Sequence, residues 1–232
     1  LNSLYPSIIM QYNMSPETIV DGSVMGIDID KILEGYTLDN KGFAIGGNGQ
    51  AFTVDKKGVM PTLVDEMYSE RVVIKNQMIE AQKELQTVVP GDKQKLYDIE
   101  RRISVAENQQ MAIKILLNSL YGAMGNRYFR FFDQRIAEAI TLSGQLTIRW
   151  AEVALNKYLN KVMGTNTDYI IAIDTDSLYV NMGPLVEQVK PTNPIDFLDK
   201  VASEKLEPVL TKAYQELFGL MGGINNSMVM KR

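Results

Sequence analysis

Between Pro61 and Tyr121 the sequence keeps a helical period for two long stretches and breaks it once, at Val89-Pro90-Gly91-Asp92. Pro61-Thr62 is a start signal, and a charged amphipathic run follows to about Thr87; a second run extends from about Lys93 to Tyr121 and stops at Gly122. Two long helices joined by a turn this short have to fold back on each other as an antiparallel hairpin. Such a hairpin can project from a body built by the remaining sequence, and nothing in the spacing says what it projects toward.

That body reads as mixed α and β. Ser3 to Met10 is rich in β-branched and aromatic residues and is expected as a strand broken by Ser15-Pro16-Glu17. Phe43-Ala44-Ile45 and Ala51-Phe52-Thr53-Val54 flank Gly46-Gly47-Asn48-Gly49. This is a β-hairpin pattern; a single glycine loop is weak evidence for phosphate binding, and the turn reading is preferred. A third helix is expected from about Gln134 to Met163, ending at Gly164, with Ile136, Ile140, Leu142, Leu146, Trp150 and Val153 as its core stripe. Tyr169 to Ile173 and Leu178 to Asn181 read as strands around a tight Asp-Thr-Asp turn. Pro194 opens a last helix that ends near Gly219, and Ser227 to Met230 suggests one more strand.

Composition narrows the chemistry. The 232 residues include no Cys and no His, so disulfides, thiolate sites and imidazole chemistry are excluded. Any metal must be held by oxygen, which favours Mg²⁺, Ca²⁺ or Mn²⁺ over zinc. No apolar run is long enough to span a bilayer, so a membrane partner is not expected. A net charge of −4 argues against a dedicated nucleic-acid-binding module, unless basic surface is local or lies outside this sequence.

Three groups of residues could carry chemistry. In Ile173-Asp174-Thr175-Asp176-Ser177 two carboxylates lie two apart at a hairpin tip, where they repel unless a cation lies between them. An oxygen-liganded divalent ion would resolve the repulsion, and an ordinary polar turn is the plain alternative. In Lys114-Ile-Leu-Leu-Asn118-Ser119-Leu120-Tyr121-Gly122, positions 114, 118, 121 and 122 share a helical face through i, i+4, i+7 and i+8 spacing. That face offers a cation, an amide, a phenol and a bare backbone, which suits a triphosphate, a sugar and a base pair; a solvated Lys and a C-cap Gly would be the bland reading. Arg71 and Lys75 share a face on the first long helix, and antiparallel pairing would bring them toward Lys114 as a three-cation clamp for an anion. Taken alone they would be surface charges, with Glu70 and Glu80 as partners.

Ser3-Leu4-Tyr5-Pro6-Ser7-Ile8-Ile9, the Lys114 to Gly122 run and Asp174-Thr175-Asp176-Ser177 occur in this order, with the helical hairpin before the second. Together they resemble the three polymerase motifs of family B DNA polymerases, and Asn13-Met14-Ser15-Pro16-Glu17-Thr18 is similar to the bacteriophage replicative branch. The family writes its first motif Asp-x-x-Ser-Leu-Tyr-Pro-Ser, so its metal-binding Asp would stand immediately before Leu1. A partial chain, lacking that Asp, the thumb and the exonuclease domain and inactive alone, is the expectation. The missing thumb would also account for the acidic balance.

The resemblance implies an α+β fold: an antiparallel-sheet palm backed by helices at 1–60 and 124–232, interrupted by two-helix fingers at 61–123. It implies template-directed DNA synthesis in phage replication, by nucleotidyl transfer from a dNTP to a primer 3′-hydroxyl. Asp174 would bridge two Mg²⁺ ions, with Mn²⁺ as a substitute; Asp176 would support them, and the Leu1 carbonyl would bind the nucleotide-side metal. Ser3, Leu4 and Tyr5 amides would hold the triphosphate, and the Tyr5 ring would leave no room for a 2′-hydroxyl. Arg71, Lys75 and Lys114 would grip the phosphates with Asn118 beside them, while Tyr121 and Gly122 would abut the nascent base pair. Implied partners are primer-template DNA, dNTP, a sliding clamp and other replisome proteins, in the host-cell cytoplasm. The family commonly has Tyr-Gly where this sequence has Ala172-Ile173, so the primer approach is expected to differ. The alternatives are a non-catalytic nucleotide- or DNA-binding scaffold derived from a polymerase, or another palm-type enzyme such as an RNA polymerase or nucleotidyl cyclase.

Overall fold

The computed structural model describes residues 3–21, 26–89 and 92–230. The elements run α1 (Leu4–Gln11), α2 (Ile29–Leu33), β1 (Ala44–Ile45), β2 (Ala51–Phe52), α3 (Val59–Gln86), α4 (Lys93–Met124), α5 (Gln134–Met163), β3 (Ile170–Asp174), β4 (Ser177–Val180), α6 (Gly183–Val189), α7 (Pro194–Val201) and α8 (Glu207–Leu220). A π-helical stretch, Ala202–Leu206, joins the last two helices.

The first element departs from the expected strand. Leu4 to Gln11 is a helix with Leu4, Pro6, Ser7, Ile8, Ile9, Met10 and Gln11 all buried. A helix buried at every position but the half-buried Tyr5 shows no polar stripe, and β-branched propensity yields to burial of nearly the whole segment in the core. Pro6 is tolerated because it lies in the first turn, where its missing N–H had no helical partner.

Helix α5 is the spine of the body. Its Ile136, Ile140 and Leu146 are buried as expected, and α1 and α8 pack along it. Trp150 is only partly buried and donates from Nε1 to the Ala213 carbonyl at 2.9 Å, while Val153 is exposed and so is not a core residue. The glycine loop between β1 and β2 packs against this helix: Gly47 N–H donates to Ser143 Oγ at 2.8 Å, and a Cβ on Gly47 would lie 2.4 Å from the Leu142 carbonyl carbon. That close backbone approach accounts for the glycine.

The helical hairpin forms as its period dictates. The Arg102 guanidinium meets Glu84 at 2.8 Å, near the end of α3 and the start of α4, which makes the pair antiparallel. Helix α4 runs past the expected stop at Gly122 to Met124, with Gly125 as its C-cap. The hairpin touches the body through Met60, Pro61 and Val64 at the base of α3 and Leu117 and Met124 at the base of α4, all buried.

Antiparallel pairing among the described residues comprises two separate two-stranded ladders, β1–β2 and β3–β4, rather than one palm sheet. Ile19 adds an antiparallel bridge to Phe52. The β3–β4 register pairs Asp174 with Ser177 and Ile173 with Leu178, leaving Thr175 and Asp176 as the turn. The helix opened by Pro194 is interrupted by the π stretch, α2 and α6 were not anticipated, and residues 227–230 form no strand.

Candidate active site

A cleft of about 450 Å³ opens where the base of the helical hairpin faces α1 and the β3–β4 turn. Arg71 enters it from α3, Lys114 and Asn118 from α4, Ser3, Leu4 and Tyr5 from the start of α1, and Thr175 and Asp176 from the turn. Four segments far apart in sequence thus supply one surface. Antiparallel pairing of α3 with α4 brings Arg71 level with Lys114, and the i, i+4 step puts Asn118 one turn below.

The cations have no carboxylate of their own: neither Arg71 nor Lys114 forms an ion pair among the described residues. Arg71 Nε is buried with no hydrogen-bond partner there. A buried guanidinium donor without an acceptor is costly unless a ligand supplies one, and two cations on one wall specify an anion.

Tyr5 forms the wall opposite. Its ring lies 4.7 Å from that of Tyr121, with the planes inclined by 30°. Burial raises the Tyr5 hydroxyl above its ordinary pKa, and nearby Tyr121 and Asp176 add to the effect. The hydroxyl therefore stays protonated and able to donate. A second cleft of about 410 Å³ lies across the ring, lined by Tyr5, Thr141, Gln145, Arg149, Ile173 and Thr175 among others. Leu4, Tyr5 and Thr175 are common to both cavities, so they divide them.

The turn between the strands is strained. Thr175, a β-branched residue, has φ of 45°, and Asp176 N–H donates back to the Asp174 carbonyl across it. Left-handed backbone at such a residue persists only where its surroundings impose it, and it occurs disproportionately at functional sites. Asp174 is exposed at the end of β3, and Thr175 Oγ1 donates to its Oδ1 at 3.3 Å. Ile173 occupies a regular ladder position opposite Leu178, so the glycine common there in the family is not needed for backbone reasons. Its side chain narrows the second cleft instead.

The donor set suits a hard divalent cation, because only oxygen ligands are available at the turn. Asp174 and Asp176 provide two carboxylates, and no group of three acidic residues among the described residues could enclose an ion. The two can hold a metal only with further oxygen ligands.

Not every expected residue converges. Lys75 is exposed on α3 one turn beyond Arg71 and does not line the cleft, so two of the three expected cations, Arg71 and Lys114, meet there. Gly122 is exposed inside α4, with open space where a Cβ would stand, and Asp174 lies at the margin rather than in the lining. Leu1 lies outside the described residues. Thr175 and Pro6 line the cleft without having been singled out; only their places inside two motifs could have suggested it.

The family model described as DNA polymerase family B matches residues 1–193. The chain belongs to that family. Among curated relatives, the DNA-directed DNA polymerase of Escherichia phage RB69 is 32% identical over an alignment covering 100% of this chain and 30% of the relative. That of Enterobacteria phage T4 is likewise 32% identical, again over 100% of this chain and 30% of the relative. This family B chain therefore spans 30% of the length of the phage proteins it matches. A solved family B DNA polymerase from the archaeon Pyrobaculum calidifontis overlays 88% of this chain with 21% of its own, at 21% identity and a TM-score of 0.49. No helix among the described residues of this family B chain is long and apolar enough to cross a membrane.

Proposed function

We propose that this chain is the palm and fingers part of a replicative DNA polymerase of phage type, with the palm at 1–60 and 124–232 and the fingers at 61–123. The observation that carries the reading is the convergence of Arg71, Lys114 and Asn118 from the helical hairpin on a cleft floored by Tyr5 and Asp176. The cleft takes the deoxynucleoside triphosphate. Arg71 and Lys114 hold its phosphates and neutralise charge that grows as the chain is extended. Asn118 donates its amide to the same group, and the Ser3 to Tyr5 backbone closes the opposite side.

The Tyr5 ring lies under the sugar and excludes a 2′-hydroxyl, while Tyr121, stacked on it, and Gly122 present a flat, bare surface to the new base pair. Primer-template DNA approaches from the second cleft, past Ile173. Asp174 and Asp176 would hold Mg²⁺ together with further oxygen ligands. When bound, the ion lowers the pKa of the primer 3′-hydroxyl and stabilises the leaving pyrophosphate.

Mg·dATP binding to this chain by calorimetry tests the reading. Affinity that drops at least about tenfold in Lys114→Ala and Arg71→Ala supports it; equal affinity in both variants returns the molecule to the scaffold alternative. Primer extension by the chain lengthened upstream to the family's first-motif Asp and through the remaining domains tests turnover. Extension by the longer protein alone fits a palm and fingers part that needs its neighbours.

A further inference from the structure

Helix α3 has no side-chain cap of its own: its N-cap is Gly58, and nothing in its first turn is acidic. Its unpaired amides are satisfied from another part of the sequence. Gly58 N–H donates to Asn13 Oδ1 at 2.8 Å, Val59 N–H to Glu17 Oε1, and Met60 N–H to Ser15 Oγ at 3.2 Å. Three consecutive amides therefore end on three side chains of one short loop.

The loop is itself fixed. Asn13 Nδ2 donates to the carbonyls of Thr53 at 2.7 Å and Lys56 at 2.9 Å, and Ser15 Oγ donates to Glu17 Oε2 at 2.7 Å. Thr18 Oγ1 accepts from Ser15 N–H at 3.1 Å. A Cβ on Gly58 would lie 2.6 Å from Ser15 Cβ, so the approach requires glycine. The loop follows directly on α1, whose first turn walls the cleft.

We infer that Asn13, Ser15 and Glu17 are positioning residues: as a cap supplied in trans to α3, they set the angle of the helical hairpin and with it the placement of Arg71 over the cleft. The lever is mechanical. Arg71 lies twelve residues beyond Val59, about 18 Å along the axis, so a tilt of about 10° at the base displaces it by about 3 Å. An anion site tolerates far less than that. The buried contacts of the hairpin with the body that the described residues show lie at its base, where the cap, with the packing of Met60, Pro61 and Val64, holds the start of one of its two legs. The inference rests on the proposed function for the meaning of the cleft, but not for the mechanics.

Because the chain has no cysteine, Lys83→Cys and Lys157→Cys place spin labels only at the outer part of α3 and on α5, at exposed positions. The distance distribution between them reads the hairpin angle. Glu17 is exposed, so Glu17→Ala should fold. That variant is expected to widen the distribution about twofold, and Glu17→Gln, which keeps an acceptor for Val59 N–H, to restore it. Tripolyphosphate affinity should fall about three- to tenfold in Glu17→Ala. A purely electrostatic role would strengthen it instead, since a negative charge is removed. An unchanged distance distribution in Glu17→Ala overturns the inference whatever the affinity does. Absence of tripolyphosphate binding in the parent chain counts against the proposed function alone, and the distances still decide the cap.

Discussion

Tyr5, in the first turn of α1, stacks on Tyr121, near the end of α4, with ring centroids 4.7 Å apart. The contact ties the first motif to the second and separates two cavities. It also holds the ring in place for the steric gate proposed above. Tyr5→Ala is expected to join the two clefts and to remove the proposed gate. On the proposed function, Tyr5→Ala in the chain lengthened to its relatives' extent is expected to raise ribonucleotide incorporation relative to deoxyribonucleotide by at least about tenfold. Unchanged sugar discrimination in primer extension would remove Tyr5 from the role.

Lys114 and Arg71 differ from Lys75 in reaching the cleft. Lys114→Ala and Arg71→Ala each remove a charged hydrogen bond worth about 1.5–3 kcal/mol, or roughly 10- to 150-fold in triphosphate affinity. Lys75→Ala removes only a screened charge, and its effect should stay under about threefold at 0.15 M salt. Calorimetric titration of the three variants separates a two-cation from a three-cation clamp; equal losses would restore the latter.

Metal dependence should map onto the turn. Asp176→Asn and Asp174→Asn are expected to abolish the increase in dATP affinity produced by Mg²⁺ while leaving metal-free tripolyphosphate binding intact or stronger. Stripping Mg²⁺ with EDTA should bring the parent chain to the level of the variants. If the variants retain the full Mg²⁺ response, the ion is held elsewhere.

Acid should loosen two helix starts. Burial works to raise the Glu17 carboxyl, but hydrogen bonds from Val59 N–H and Ser15 Oγ outweigh it and hold the group below its ordinary value. The Arg135 side chain holds Asp133, the cap of α5, low as well, against the opposing effect of burial. A depressed carboxyl contributes stability above its unfolded value, about 3.9 for Asp and 4.3 for Glu, and loses it as pH falls through the folded value. Urea midpoints should thus drop below about pH 4. Glu17→Gln and Asp133→Asn together should flatten that slope, and a parallel slope in the double variant would contradict the assignment.

Gly47→Ala brings a Cβ to 2.4 Å from a backbone carbon of α5, where no side chain can yield. A loss of about 1–3 kcal/mol is expected from denaturant unfolding. Gly122→Ala, with open space around it, should cost nothing measurable and slightly favour the helix.

The long elements were legible because their information is local. The period of α3, α4 and α5, the break at 89–92 and the Gly164 stop sufficed for their type and nearly for their bounds. Helix α1 reads as a strand in the sequence because burial of every position but Tyr5 erases the polar stripe that identifies a helix. The interruption of the last helix at Ala202–Leu206 and the short helix α6 carry no comparable signal.

For the site, residue type and spacing on α4, and the order of three motifs, were enough to nominate Tyr5, Arg71, Lys114, Asn118 and Asp176. Which of them meet depended on the packing of α3 against α4 and of both against α1. That packing admits Arg71 and leaves Lys75 one turn outside, a difference of helical rise that spacing alone does not order. It also recruits Asn13, Ser15 and Glu17 to an amide terminus more than forty residues away, as the Asn13 to Gly58 bond shows. Periodicity and turn chemistry are written in neighbouring residues, so the sequence alone determined the hairpin and the turn, and the absence of Cys and His restricts any metal ligands to oxygen. Convergence of distant segments is decided by how buried surfaces fit, and so the two-cation cleft and the cap on α3 belong to the tertiary structure.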